Sequence, residues 1–198
     1  MRGLRLEVRY ALGWAGRTCV LALLLCAPLL VPGAAQAVVY LSQAEALELA
    51  FPGADRVEKR NFLLSAQQVA RIEKLARAPV ESRIVGVHEG WKGDQRLGWA
   101  FIDVHRVRTV TEGLLVVLDA AGSVRSVRVL AFHEPEEYVP LPGWFRQFQG
   151  KKLTPRLRLN RDIHGVVGAT LSSRAVTRSV RRCLAYYQVL LAPEKAAD

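Results

Sequence analysis

The stretch His164-Gly165-Val166-Val167-Gly168-Ala169-Thr170-Leu171-Ser172-Ser173 joins a run of small residues to the start of an amphipathic pattern. Glycine populates positive φ without a Cβ penalty, so Gly168 lets the chain turn sharply or lets another backbone or a ligand come close. Ala169 adds almost no bulk. Ser172 or Ser173 is placed to cap the following helix, because a serine oxygen there accepts from amide N–H groups that lack an intrahelical partner. Thr170 therefore stands among exposed amide donors. A phosphoester on its hydroxyl would set negative charge against those donors and the positive end of the helix dipole, worth about 0.3–1 kcal/mol when exposed.

Working outward, Val176, Val180, Cys183, Tyr187 and Leu190 recur at spacings of four, three, four and three. That period predicts a helix over 172–190 with a core-facing stripe, and places Arg174, Arg178, Arg181 and Arg182 on its other faces. Upstream, 144–149 reads as a short helix closed by Gly150. Before it, 84–87, 97–104, 113–119 and 124–132 are rich in β-branched and aromatic residues, with Ala120-Ala121-Gly122 as a hairpin turn between the last two. In the last of these strands Val127, Val129 and Ala131 alternate with Ser126, Arg128 and Leu130, which predicts one buried and one partly solvated face. The expected class is α+β, an antiparallel sheet with packed helices. Two S-x-x-[EQ] capping boxes, Ser42 with Glu45 and Ser65 with Gln68, start helices in a front section that reads as helical. The second of these helices is predicted over 66–76.

The N-terminus carries Arg2, Arg5, Arg9 and Arg17, then an apolar run over 19–31, then Ala35-Gln36-Ala37. This order predicts a secretory signal peptide over 1–37, cleaved after Ala37, since the run is interrupted by Pro28 and is shorter than the roughly 20 residues that span a bilayer. The remaining boundaries are then a helical lead-in over 38–80, the main domain over 81–192 and a tail over 193–198. Those four arginines against Glu7 take three of the chain's ten net positive charges, leaving the mature part at +7. An exported basic surface attracts acidic phospholipid or an anionic protein rather than nucleic acid. Of the three cysteines only Cys183 survives cleavage, which excludes an internal disulfide and reads as a small buried hydrophobe.

The run from Gly168 to Val176 resembles the flavinylation motif of the FMN-binding domain family, which includes the Rnf-complex G subunit and the C subunit of sodium-translocating NADH:quinone reductase. In that family a threonine in an Asp-x-x-(Ser/Thr)-Gly-Ala-(Thr/Ser) segment receives FMN through a phosphoester bond, delivered from FAD by a flavinyltransferase. Residue by residue, the acceptor falls on Thr170, with Gly168 and Ala169 in place. Val167 stands where Ser or Thr is usual and His164 where Asp is expected; Asp162 lies two residues earlier. The blocks Gly98-Trp99-Ala100-Phe101, 113–119, 129–132, Glu134-Pro135-Glu136-Glu137-Tyr138 and 144–150 follow the family's order and spacing.

The resemblance implies an exported, periplasmic electron-transfer flavoprotein, an electron carrier rather than a stand-alone enzyme, relaying electrons between redox partners at the membrane. Its implied partners are the flavinyltransferase and a membrane redox protein carrying iron–sulfur or haem. Two alternatives keep the fold: FMN held reversibly, or a flavin-free basic scaffold at the membrane surface whose arginine-rich last helix meets an acidic partner. A flavin ring needs an apolar or aromatic wall, for which Trp99, Tyr138, Trp144 and Phe148 are candidates. The cofactor-binding set is then Thr170, Gly168, Ala169, Ser172, Ser173, His164, Trp144 and Tyr138. Arg156, Arg158 and Arg161 read as a solvated face or a screen for a phosphate. His88, His105, His133 and His164 lack the spacing of a metal site, and the sequence has no GxGxxG, P-loop or Gly-x-Ser-x-Gly element.

Overall fold

In the computed structural model, residues 38–39, 41–107, 110–132 and 138–193 are described. The expected signal peptide over 1–37, the acidic 134–137 segment and all but the first residue of the tail lie outside them. Among the described residues no helix is long and apolar enough to cross a membrane.

Both capping boxes form. Helix α1 (Gln43–Ala50) is started by Ser42, whose Oγ accepts from the Glu45 N–H while Glu45 accepts from the Ser42 N–H. Helix α2 (Ala66–Ala76) is started in the same way by Ser65 and Gln68. Between them the chain is not helical: Arg56–Leu63 is a strand, β2, paired antiparallel along its whole length with β3 (Ile84–Lys92). Its sequence, RVEKRNFL, is almost entirely exposed, so it shows no alternation of apolar and polar residues. Charged side chains on an outer strand also discourage pairing with other molecules.

The sheet continues as β4 (Gln95–Val107), β5 (Val110–Asp119) and β6 (Val124–Phe132), each antiparallel to the one before. A two-residue strand, β1 (Val38–Val39), joins β6 at Phe132 and Ala131. The spatial order is β1-β6-β5-β4-β3-β2. Strands β3 and β4 run longer at their paired ends than the apolar blocks 84–87 and 97–104 suggest, because His88, Glu89 and Gly90 interrupt the apolar pattern but not the ladder. At the β5–β6 turn the Asp119 carboxylate accepts from the N–H groups of Ala121 and Ser123 at 2.9 Å each, and Gly122 takes φ +76° against the ring of Tyr187.

Both faces of the sheet are covered. On one, Trp99, Phe101, Leu114, Val116 and Leu118 pack under α2 and α4 (Thr170–Tyr186, continued by a π-helical turn Tyr187–Leu191). On the other, Ala100, Leu115 and Val117 pack under Ala46, Ala50 and Phe51 of α1 and its end. Hence 114–118 is an unbroken apolar run with no solvent exposure, as expected for a strand buried on both sides. The expectation of a partly solvated β6 face is corrected at Leu130, which is buried on the α1 side. Register shifts leave Arg125 and Leu130 as extra residues opposite β5.

The helical stripe holds for Val176, Val180 and Cys183, all fully buried, and for Tyr187 and Leu190 at the edge of the same core. The arginines divide. Arg174 and Arg178 are exposed, but Arg181 and Arg182 are 4% and 2% exposed, so only two of the four can meet a partner. Arg181 donates to the carbonyls of Leu75, Ala76, Thr154 and Leu157, tying the end of α2 and the loop that precedes α4 to that helix.

Candidate functional site

Thr170 is the first residue of α4 and is exposed. Gly168 takes φ +85°, a conformation that costs a residue with a Cβ about 1–2 kcal/mol, and the space where a Cβ would stand is open. Its role here is backbone geometry rather than close contact. Ala169 is buried and serves as the N-cap with no side-chain hydrogen bond. The expected serine cap is therefore corrected. Ser172 and Ser173 lie inside the first turn and are buried, and the Ser173 hydroxyl donates back to the Ala169 carbonyl at 2.8 Å. The consequence is an uncapped start: the first amides of α4 precede the Ser173 N–H, which makes the first intrahelical bond to Ala169. The Thr170 hydroxyl makes only a long contact, 3.4 Å, to the Val166 carbonyl.

The loop before the helix is held at three points. Leu157 and Ile163 are fully buried plugs in the α2–α4 side of the core. At His164 the backbone N–H donates to Gln147 Oε1 at 2.8 Å, and the carbonyl accepts from Trp144 Nε1 at 2.7 Å. These bonds fasten the start of the motif to a short helix, α3 (Pro142–Phe145, followed by a 3-10 turn over Arg146–Phe148). Trp144 is half-buried, edge-on to Phe145 and Phe148 at 5.3 and 5.4 Å between centroids. The His164 side chain is exposed. The Asp162 carboxylate accepts from Arg156 Nε at 3.3 Å, while Arg158 and Arg161 are exposed.

Of the four aromatic wall candidates, the structure brings Trp144 to the motif loop. Tyr138 is half-buried ahead of α3. Trp99 and Phe148 are core residues, the first edge-on to Tyr187 and beneath the Arg96 guanidinium, the second with no exposed surface. A cavity of about 540 Å³ opens on the other side of α3, lined by Phe145, Pro142, Arg146 and the outer edge of β6, and does not include the Thr170 segment.

Sequence reasoning missed a buried ionic cluster between β4, β5 and α4. Arg182 donates through Nε and Nη2 to Asp103 at 2.9 and 2.6 Å, Asp103 Oδ2 lies 3.0 Å from His105 Nδ1, and His105 Nε2 lies 3.2 Å from Glu112. Burial opposes the charge on Asp103, but hydrogen bonds from His105 and Arg182 outweigh it and hold the carboxyl at about 2. Burial likewise opposes protonation of His105, yet Asp103 and Glu112 raise it to about 9. The sequence signal is Asp103 and His105 two residues apart, on the same side of β4 as the apolar Phe101 and Val107, with Glu112 beside the apolar run of β5. Cys183, beside this cluster, is buried and its thiol pushed well up by desolvation, the inert state expected of a small core residue.

Residues 110–185 match the model of the FMN-binding domain family. The matched segment runs from the first residue of β5 to within one residue of the end of α4, and contains Thr170, Trp144 and Tyr138. No curated protein matches the chain by sequence.

Proposed function

We propose that this chain, with its FMN-binding domain over 110–185, is an exported electron carrier that holds FMN by a phosphoester to Thr170. The observation that carries the reading is an exposed threonine at an uncapped helix start, inside the segment that the family model matches. The residues fit a phosphate. Thr170 stands at the end of α4 toward which helix amides point, the N-cap makes no side-chain hydrogen bond, and the open space beside Gly168 leaves room for the group. Attachment would form the Thr170 Oγ–phosphorus bond and break the FAD pyrophosphate, releasing AMP and the hydroxyl proton, with the flavinyltransferase supplying the catalytic groups. Once bound, the flavin accepts one or two electrons, which is the chemistry that the protein lacks.

The chain's own contribution is position. Trp144 and Gln147 hold the His164 backbone, and Leu157 and Ile163 anchor the preceding loop, so that Thr170 is presented from a fixed base. Trp144 is the aromatic surface nearest in the bonding pattern to that loop. The Rnf-like kinship, the periplasmic location and an iron–sulfur or haem protein of the membrane as electron partner belong to the same proposal. In-gel fluorescence after denaturation, in cells with and without the flavinyltransferase, tests the covalent bond.

A second reading, reversible FMN on the same fold, is favoured by one observation. The motif's expected carboxylate is replaced by an exposed histidine, and the nearest acid, Asp162, is already paired with Arg156. Mass measured under native and then denaturing conditions separates the two, since only a covalent flavin survives unfolding.

A further inference from the structure

We infer that the outer edge of β6 and the cavity beside it form a docking groove for an extended, acidic segment of a partner protein, which adds to the sheet as a strand. The inference goes beyond flavin binding and does not depend on it.

Among the described residues, strand β6 has β5 on one side and only the two-residue β1 on the other. Each end of its outer edge is fastened by the chain itself. At one end the Leu41 N–H donates to the Leu130 carbonyl. At the other, the Val124 N–H donates to the Lys151 carbonyl and the Gly150 N–H to the Val124 carbonyl, at 2.9 and 2.7 Å. Between these fastenings, residues 125–129 form the sheet border among the described residues, roughly 16 Å of strand at 3.3 Å per residue. A strand border carries a row of backbone donors and acceptors that an extended chain can pair with, which is how edge-binding domains take peptides.

This border faces space rather than solvent-stripped packing. The cavity of about 540 Å³ runs along it, walled opposite by Pro142 and Phe145. Val127 and Val129 line its floor, and Leu141, 77% exposed, stands at its lip, so side chains of an occupant would find apolar surface. Charge selects the occupant. Arg128 and Arg146 line the cavity and are exposed, Arg125 lines it while donating to the Ala50 carbonyl, and the described lining contains no carboxylate. A lipid headgroup or free phosphate would satisfy the arginines but leave the strand border unpaired; an acidic peptide satisfies both.

The test uses the purified full-length chain and a labelled seven-residue peptide that alternates Asp or Glu with Val or Ile, read by fluorescence anisotropy. Reversing two groove charges (R128E with R146E) weakens binding by about tenfold or more, whereas the same reversal on exposed α4 positions (R174E with R178E) changes it by less than about twofold. Methylating alternate backbone nitrogens of the peptide, which deletes donors but no charge, also costs about tenfold. Amide exchange of the wild-type chain slows at 126–129 when the peptide is bound. Equal loss for both pairs of charge reversals, or full affinity for the methylated peptide, overturns the proposal. So does displacement of the peptide by free FMN, which would give the groove to the flavin, or by a second copy of the chain in sedimentation.

Discussion

Arg182 and Asp103 are joined by two hydrogen bonds, 2.9 and 2.6 Å, with 2% and 7% of their side chains exposed. Arg182 comes from the middle of the helix that begins at Thr170, and Asp103 from the central strand β4, so this pair fixes the helix on the sheet. Removing one partner of a buried pair leaves an uncompensated charge and typically costs about 3–5 kcal/mol. Arg182→Met is expected to lower stability by that order, while Arg174→Met, at an exposed position of the same helix, changes it by less than about 0.5 kcal/mol. Urea unfolding of both variants makes the comparison.

The same cluster gives a pH dependence of known sign. His105 titrates at about 9 in the folded protein against 6.5 ordinarily, so the folded state binds the proton more tightly. Its contribution to stability is fully present below pH 6.5, declines as pH rises, and is gone above about 9. Asp103 acts oppositely: held at about 2 against 3.8, it contributes above 3.8 and is lost as pH falls through about 2. The urea midpoint is expected to fall between neutral pH and the upper limit, and His105→Gln should flatten that slope. A wild-type slope unchanged by the substitution contradicts the assignment.

At the β5–β6 turn, Gly122 combines a positive φ with contact to the Tyr187 ring, whereas Gly150 has a similar φ of +74° and open space around it. Gly150→Ala should therefore cost only backbone strain, about 1–2 kcal/mol. Gly122→Ala adds overpacking of about 1–3 kcal/mol to that. Thermal unfolding that ranks them in the other order would show that the Tyr187 contact is not rigid.

Trp144 Nε1 holds the His164 carbonyl. Trp144→Phe keeps the ring against Phe145 and Phe148 but deletes the donor, so amide exchange over 164–169 should quicken by up to about tenfold, for a bond worth about 0.5–1.5 kcal/mol. Unaltered exchange would mean that the loop is held elsewhere, by Gln147 or by Ile163.

How much of this was legible follows from what each signal depends on. The capping boxes at Ser42 and Ser65, the strand over 124–132 and the stripe Val176, Val180, Cys183 are local patterns, and local geometry obeyed them. Strand β2 left no trace because an exposed outer strand has no buried face to set a period. Leu130 was misjudged because α1 covers the face that it shares with Ser126 and Arg128, and a helix packed from elsewhere in the chain leaves no mark on the strand's own alternation. Arg181 and Arg182 look like surface residues in any helical projection. They are buried because Asp103 lies across the sheet and because four carbonyls from two other segments converge on Arg181, neither of which a helix period records. At the candidate site, Gly168 and Thr170 were legible from residue type, but the uncapped start was not, since Ser172 and Ser173 read as caps until the helix is seen to begin before them.

The central claim is that the Thr170 oxygen carries the flavin. Co-expression with a flavinyltransferase, followed by denaturing electrophoresis viewed under ultraviolet light, tests it with wild type, Thr170→Ser and Thr170→Ala. A fluorescent band in wild type, kept in the serine variant and absent in the alanine variant, is the predicted result. Fluorescence that persists in Thr170→Ala, or a wild-type band that is dark while the enzyme labels another acceptor in the same cells, contradicts it.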